Sequence, residues 1–213
     1  MILLSICTIF AVKLKPYMME PTTWSENVIL VDADYVDNVA FNLTVNFERM
    51  LARRIPPADM ARWIVCMALD GGMPATPGGT QVVLLHAADK AQLDNFVPAH
   101  FAQELDGKAF DDPHLGEFRI SCVPVEGQVD MPTLYGQSLQ VLAAEPSIKR
   151  LVLVPDMEHY FHEVRLLLTQ LQGKEVTLLA MEPQSGRGFT QEILGYSLMS
   201  AMGIKGQEFG RAD

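Results

Sequence analysis

Cysteine and positive charge are both scarce in this sequence, and each shortage excludes a class of protein. Three cysteines among 213 residues (Cys7, Cys66 and Cys122), an odd number with no C-x-x-C pair, cannot build a disulfide framework or a cysteine-rich zinc site. They read as small apolar side chains in a reducing compartment, so the expected location is cytoplasmic. Sixteen Lys plus Arg face twenty-six Asp plus Glu, a formal net charge of −10, so the overall field repels phosphate polyanions and disfavours RNA as a partner. A G-x-G-x-x-G, a Walker A and an H-E-x-x-H are all missing, which removes the usual dinucleotide and metalloprotease signatures. Gly136-Gln-Ser138-Leu and Gly195-Tyr-Ser197-Leu lack the closing glycine of a nucleophile elbow, so an esterase is not expected. Long apolar runs are absent too: Met1 to Val12 is apolar but shorter than the roughly 20 residues that span a bilayer. It has no basic leader and no small-x-small cleavage site, with Lys13 and Lys15 on the wrong side, so it does not read as a signal peptide. Residues 1–20 are expected to be an apolar N-terminal extension, with Met18 or Met19 an alternative start, and no membrane association is expected.

What the chain does have is core-forming material, 49% apolar against 20% charged, enough for one domain over residues 21–213. Val28-Ile-Leu-Val31, Trp63-Ile-Val-Cys-Met67, Val82-Val-Leu-Leu85, Leu151-Val-Leu-Val154 and Val176 to Ala180 are short continuous apolar runs, the pattern of strands buried on both faces. Phe118 to Val125 is a further strand of partly alternating type. Helical spacing marks Val39 to Leu51, Phe96 to Leu105, Met131 to Ala144, Phe161 to Leu171 and a C-terminal helix over 189–202. Strands alternating with amphipathic helices predict an α/β fold, a mostly parallel sheet with helices on both faces, because parallel strands need crossover connections. In such sheets ligands bind beyond the carboxyl ends of the strands.

Acids arrive at that edge from several segments. Asp32 and Asp34 follow Val31, Asp130 follows Val129 at a helix start, and Asp156 and Glu158 follow Val154-Pro155. Carboxylates gathered from different strands repel one another unless a cation sits between them, and hard divalent ions prefer such oxygen ligands. The same residues also suit a humbler role, since Asp is a common cap and turn residue that accepts from backbone N–H groups.

Ile29-Leu-Val-Asp32-Ala-Asp34 resembles the opening strand of NYN domains, members of the PIN-like nuclease superfamily. Gln128-Val-Asp130-Met-Pro-Thr-Leu134 resembles the segment before that group's acid-bearing helix. Leu151-Val-Leu-Val-Pro-Asp156-Met-Glu158, followed by Phe161, an amphipathic helix and Gly173-Lys-Glu-Val176, is similar to its strand, acidic loop, helix and Gly-Lys-x-Val strand. The resemblance covers roughly Val28 to Ala180. It implies a PIN/NYN-like Rossmannoid fold and, with Mg²⁺ or Mn²⁺, metal-assisted hydrolysis of RNA phosphodiesters. The positions it assigns as catalytic residues and metal ligands are Asp32, Asp130, Asp156 and Glu158. The sequence departs from the pattern where the second helix acid would fall, at Gly136 or Gln137, and where Pro155 replaces the loop glycine. Two functions follow: a divergent, non-catalytic or weakly active relative serving as a binding module for protein, or a Mg/Mn-dependent ribonuclease. As a module, the chain would use the helix over 189–202, rich in Met, or the loop Gly71 to Gly79.

Smaller signals carry less. His159-x-x-His162-Glu163 places two imidazoles three apart on a helix, as a transition-metal site or as ordinary surface histidines. Gly186-Arg-Gly188 is expected to open a helix, holding an anion or simply shaping a turn.

Overall fold

A computed structural model describes residues 24–126, 129–169, 171 and 173–210; the expected N-terminal extension lies outside the described residues. The chain forms β1 (Asn27–Asp32), α1 (Ala33–Leu51), β2 (Ala58–Asp59), α2 (Met60–Asp70), β3 (Thr80–His86) and β4 (Phe96–Val97). It continues through β5 (Ala109–Asp112), β6 (Gly116–Pro124), α3 (Met131–Ala144), β7 (Arg150–Val154), α4 (Phe161–Leu168), β8 (Glu175–Ala180), β9 (Thr190–Ile193) and α5 (Leu194–Ala201).

Seven strands make one sheet in the order β5-β6-β3-β1-β7-β8-β9, every pairing parallel except that of β5 with β6. The fold is α/β, as the alternation of apolar runs and helical segments predicts. Alternate residues of the central strands feed two separate cores. Ile29, Val31, Val82, Leu84, Val152 and Val154 pack with α1, α2 and α5, whereas Val28, Leu30, Val83, Leu85, Leu151 and Leu153 pack with α3 and α4. Val28 to Val31 are all at 0% exposure, which explains why β1 is apolar without alternation. The chain builds outward from β1 to β3 and β6, then crosses through α3 to β7 on the other side of β1 and builds outward again. The switch point of this doubly wound sheet is therefore at β1 and β7, and the crevice for a ligand lies at their carboxyl ends.

Three expected elements are corrected. Trp63 to Met67 is not a strand but the middle of α2, whose Met60, Trp63, Ile64 and Met67 form an i, i+3, i+4, i+7 buried face. Asp59 caps this helix by accepting from Arg62 N at 3.0 Å, and Trp63 Nε1 donates to Ser197 Oγ of α5 at 3.2 Å. Phe96 to Leu105 is not one helix. Phe96 and Val97 pair with Ala58 and Asp59 in a separate two-stranded ladder, and only Phe101–Leu105 turns, as a short π-helix. The helix expected over 189–202 divides, because Thr190–Ile193 joins the sheet edge beside β8 and α5 begins at Leu194.

The loop Gly71 to Gly79 is held down by the main body. Gly79 has φ +65°, and a Cβ there would lie 2.4 Å from Glu117 O of β6. Asn27 Nδ2 donates to Pro74 O at 2.8 Å, and Ser25 Oγ donates to Gly79 O. Close approach to neighbouring backbone explains the glycine at 79.

Candidate functional site

β1 runs into α1 with no connecting loop, and Asp32 ends the strand and caps the helix. Its Oδ1 accepts from Tyr35 N at 3.0 Å and its Oδ2 accepts from Tyr160 Oη at 2.6 Å. The residue is 2% exposed. Burial outweighs these two hydrogen bonds and, with the charges of Asp34 and Asp156 adding to it, pushes the Asp32 carboxyl up to about 6. A helix N-terminus favours an anion, and here the capping carboxylate of Asp32 supplies one.

Tyr160 sits at the start of α4 and bridges the loop after β7 to β1, with its ring 5.6 Å from that of Tyr135, whose hydroxyl donates to Leu30 O at 3.2 Å. Within the same loop, Asp156 Oδ1 accepts from Glu158 N at 2.9 Å and His159 N at 3.1 Å, while Oδ2 lies 2.7 Å from His159 Nδ1. The hydrogen bond from Asp156, reinforced by its charge, holds the His159 imidazolium above the usual histidine range.

Asp34 and Asp37 belong to a different structure. Ala87 N donates to Asp34 Oδ2 at 2.6 Å, and Lys90 Nζ lies 2.7 Å from Asp37 Oδ2 and 3.6 Å from Asp34 Oδ1. Asp37, 2% exposed, also accepts from Asp94 N, Asn95 N and Asn95 Nδ2 at 2.9 to 3.2 Å. Burial alone would push its carboxyl up, but the Lys90, Asp94 and Asn95 donors win and hold it low. These two acids clamp the segment after β3 onto α1. Such a clamp has no sequence signature, because its donors lie more than fifty residues away from the acids.

Of the residues predicted for a metal pocket, the structure brings Asp32 and Asp156 within electrostatic reach of each other and leaves Asp130 apart. Asp130 is exposed and caps α3, accepting from Thr133 N at 3.0 Å. Glu158 is exposed beside Asp156. The four acids, Asp32, Asp130, Asp156 and Glu158, are therefore not assembled as one magnesium or manganese site. Among the described residues, no group of three or more His, Cys, Asp or Glu is placed to hold a metal ion. The physical reason is that each Asp is engaged by local N–H or O–H donors, and Asp32 has a partner on each of its oxygens. His162 and Glu163 are exposed and add no ligands. Gly186 and Gly188 precede β9, not a helix; Gly188 has φ +89°, so this segment shapes a turn.

At this edge Lys90 is spent on Asp34 and Asp37 and His159 on Asp156, and several other cations lie elsewhere. Arg150 opens β7 and pairs with Glu175 at 2.9 Å, Lys149 pairs with Glu26, and Lys174 Nζ donates to Glu145 O and Ile148 O. All mark the amino ends of strands, opposite the acids. Arg53, beyond the end of α1, pairs with Glu208 at 2.8 Å. No helix among the described residues is long and apolar enough to cross a membrane.

One residue at the acidic edge escaped the sequence pattern. Tyr35, in the first turn of α1, has a ring packed in the α1, α2 and α5 core and is 7% exposed. Burial, then the charges of Asp156, Glu158, Asp32 and Glu182, push its hydroxyl well above the usual tyrosine range. Read along the sequence, Tyr35 and Tyr160 are simply aromatic members of apolar faces; only the fold brings the Tyr160 hydroxyl to Asp32.

No curated protein and no solved structure matches the chain. A family match covers residues 21–209, and on that extent the chain belongs to DUF6621, a family of unknown function.

Proposed function

We propose that this chain is a non-catalytic binding module built on a divergent NYN/PIN-like scaffold, with its recognition surface at the carboxyl edge of the sheet around β1, β7 and β8. The observation that carries this is the engagement of Asp32: a metal ligand or general base needs a free oxygen facing substrate, whereas Asp32 is buried and its two oxygens accept from Tyr35 N and Tyr160 Oη. Placement of Lys149, Arg150 and Lys174 at the opposite ends of the strands supports it further, since an RNA path would need cations beside the acids. The segments expected to bind a partner are less suited: the loop Gly71 to Gly79 is tied to β1 and β6, and five of the eight residues of α5 are buried, among them Leu194, Ser197 and Leu198.

The second reading, a Mg/Mn-dependent ribonuclease, keeps one observation in its favour, the approach of Asp32 and Asp156 from adjacent strands. Incubation of the purified chain with single-stranded RNA and Mn²⁺ separates the two. The expected result is no cleavage above a protein-free control. Cleavage that disappears in Asp156→Asn would overturn the proposal in favour of the nuclease.

A further inference from the structure

We propose that the groove between α3 and α4 is the docking site of the chain's own N-terminal apolar run, Met1 to Val12. This goes beyond the binding-module reading and does not depend on it.

The two faces of the sheet are unequally covered. α1, α2 and α5 pack on one face, whereas α3 and α4 pack on the other. Between α3 and α4 lies a groove of about 300 Å³, lined by Leu139, Gln140, Ala143 and Ala144 of α3 and by Leu167 and Leu171 at the end of α4 and just beyond it. Five of these six side chains are apolar. Such a lining takes up aliphatic side chains and offers little to orient a polar ligand.

The course of the chain brings its own N-terminal segment to this groove. α3 ends at Ala144, shortly before β7 begins at Arg150, and α4 ends shortly before β8 begins at Glu175. The groove lies on the last turns of both helices, hence at the end of the sheet where the strands start. Trp24 and Ser25 precede β1 at that same end. Ser25 N donates to Gln81 Oε1 at 3.0 Å and Ser25 Oγ donates to Gly79 O, which fixes the exit beside the head of β3. Trp24 packs against the core of the α3 and α4 face, the one to which Leu139 and Leu171 belong and on whose margin Ala143 and Leu167 sit. Groove and exit therefore share a face and an end.

Residues 1–23 lie outside the described residues. Ten of the twelve residues from Met1 to Val12 are apolar and none is charged, so burial of this run against apolar surface is favourable. The eleven residues from Lys13 to Thr23, with Lys13, Lys15, Glu20, Pro16 and Pro21 among them, form a polar tether. Extended, it reaches about 35 Å, enough to cross a helix of about 10–12 Å diameter. A tether of this length holds the run near the groove at an effective concentration in the millimolar range, so modest affinity suffices. A second copy of the chain has no such advantage and brings a further net charge of −10.

Hydrogen–deuterium exchange of the full chain, read by mass spectrometry on peptides covering residues 1–12 and 13–23, tests this. Amides of residues 2–12 are expected to exchange about tenfold more slowly than an unstructured peptide, with residues 13–23 near the unprotected rate. Gln140→Lys with Ala144→Lys, both at exposed positions of α3, is expected to return residues 2–12 to within about twofold of the unprotected rate with an unchanged far-UV spectrum. Ile6→Asp with Ile9→Asp should do the same while leaving the groove untouched. Location is read by a short bismaleimide, which is expected to join Cys7 to a cysteine introduced by Gln140→Cys and not to one introduced by Asn38→Cys, an exposed position of α1 on the opposite face. Unprotected amides in the parent chain, protection that survives the α3 double variant, or equal cross-linking at both positions would each overturn the proposal. Protection that fades on dilution assigns the run to a second copy, and protection that arises only with phosphatidylcholine vesicles assigns it to lipid; either result also overturns it.

Discussion

Replacing Asp37 by alanine is expected to lower the unfolding free energy by about 3–5 kcal/mol, the usual consequence of removing one member of a buried, hydrogen-bonded ion pair. The carboxylate accepts from Lys90 Nζ at 2.7 Å and from Asp94 N, Asn95 N and Asn95 Nδ2. Alanine leaves that ammonium and those N–H groups without acceptors in a place where water reaches them poorly. Lys90→Met should cost less, because the backbone N–H donors still satisfy the Asp37 carboxylate. Thermal unfolding at neutral pH, where 1 kcal/mol corresponds to roughly 2–4 °C for a chain of this size, measures both variants. If Asp37→Ala unfolds within about 2 °C of the parent protein, the segment after β3 is held by apolar packing and not by this clamp. Because the folded-state carboxyl is held low, its contribution is complete above the ordinary aspartate value of 3.8 and disappears as the pH falls through the folded value.

Asp32→Asn is expected to act in the opposite direction. Burial pushes the Asp32 carboxyl from the ordinary aspartate value of 3.8 up to about 6 in the fold, so the folded state binds its proton more tightly than the unfolded state does. Stability therefore falls as the pH rises from about 4 to about 6, and above that window the ionised carboxylate costs about 3 kcal/mol. Asparagine carries no charge and retains an acceptor for Tyr35 N and a group for Tyr160 Oη. At about pH 7.5 the variant should unfold roughly 5–8 °C above the parent protein, and the gain should shrink toward zero as the pH approaches 4. A variant less stable than the parent at neutral pH would mean that the charge-assisted bond from Tyr160 is worth more than the burial costs.

The fold was legible where the apolar pattern had one interpretation. β1, β3, β7 and β8 are continuous runs because both of their faces are covered, and α3 is announced by the Asp130 cap that the structure retains. Ambiguity arose where a run of five apolar residues suits either period: Trp63 to Met67 reads as a strand in isolation, and only Met60 and Ala68 on either side extend it into a helical face. Thr190–Ile193 was hidden because its inward residues continue into α5 without a break, and Ala109–Asp112 because two acids on an edge strand leave no apolar signal. At the site, the acids were visible but their partners were not. Asp32 meets Tyr160 across 128 residues and Asp37 meets Lys90 across 53, so the distinction between a metal ligand and a satisfied cap depends on contacts that no local pattern encodes.

The central position of β1 also has a consequence for how the chain is made. Among the described strands it is the earliest in the sequence, and its partners on either side are Thr80 to Leu85 and Arg150 to Val154. During translation one hydrogen-bonding edge of this buried, apolar strand stays open until residue 154 has left the ribosome, a long exposure for a template that other chains could join. Closure of that edge requires a loop of more than a hundred residues, which places the β1·β7 pairing among the slow, non-local steps of folding. A nascent chain halted shortly before β7 is therefore expected to depend on chaperones to a degree that the finished protein does not.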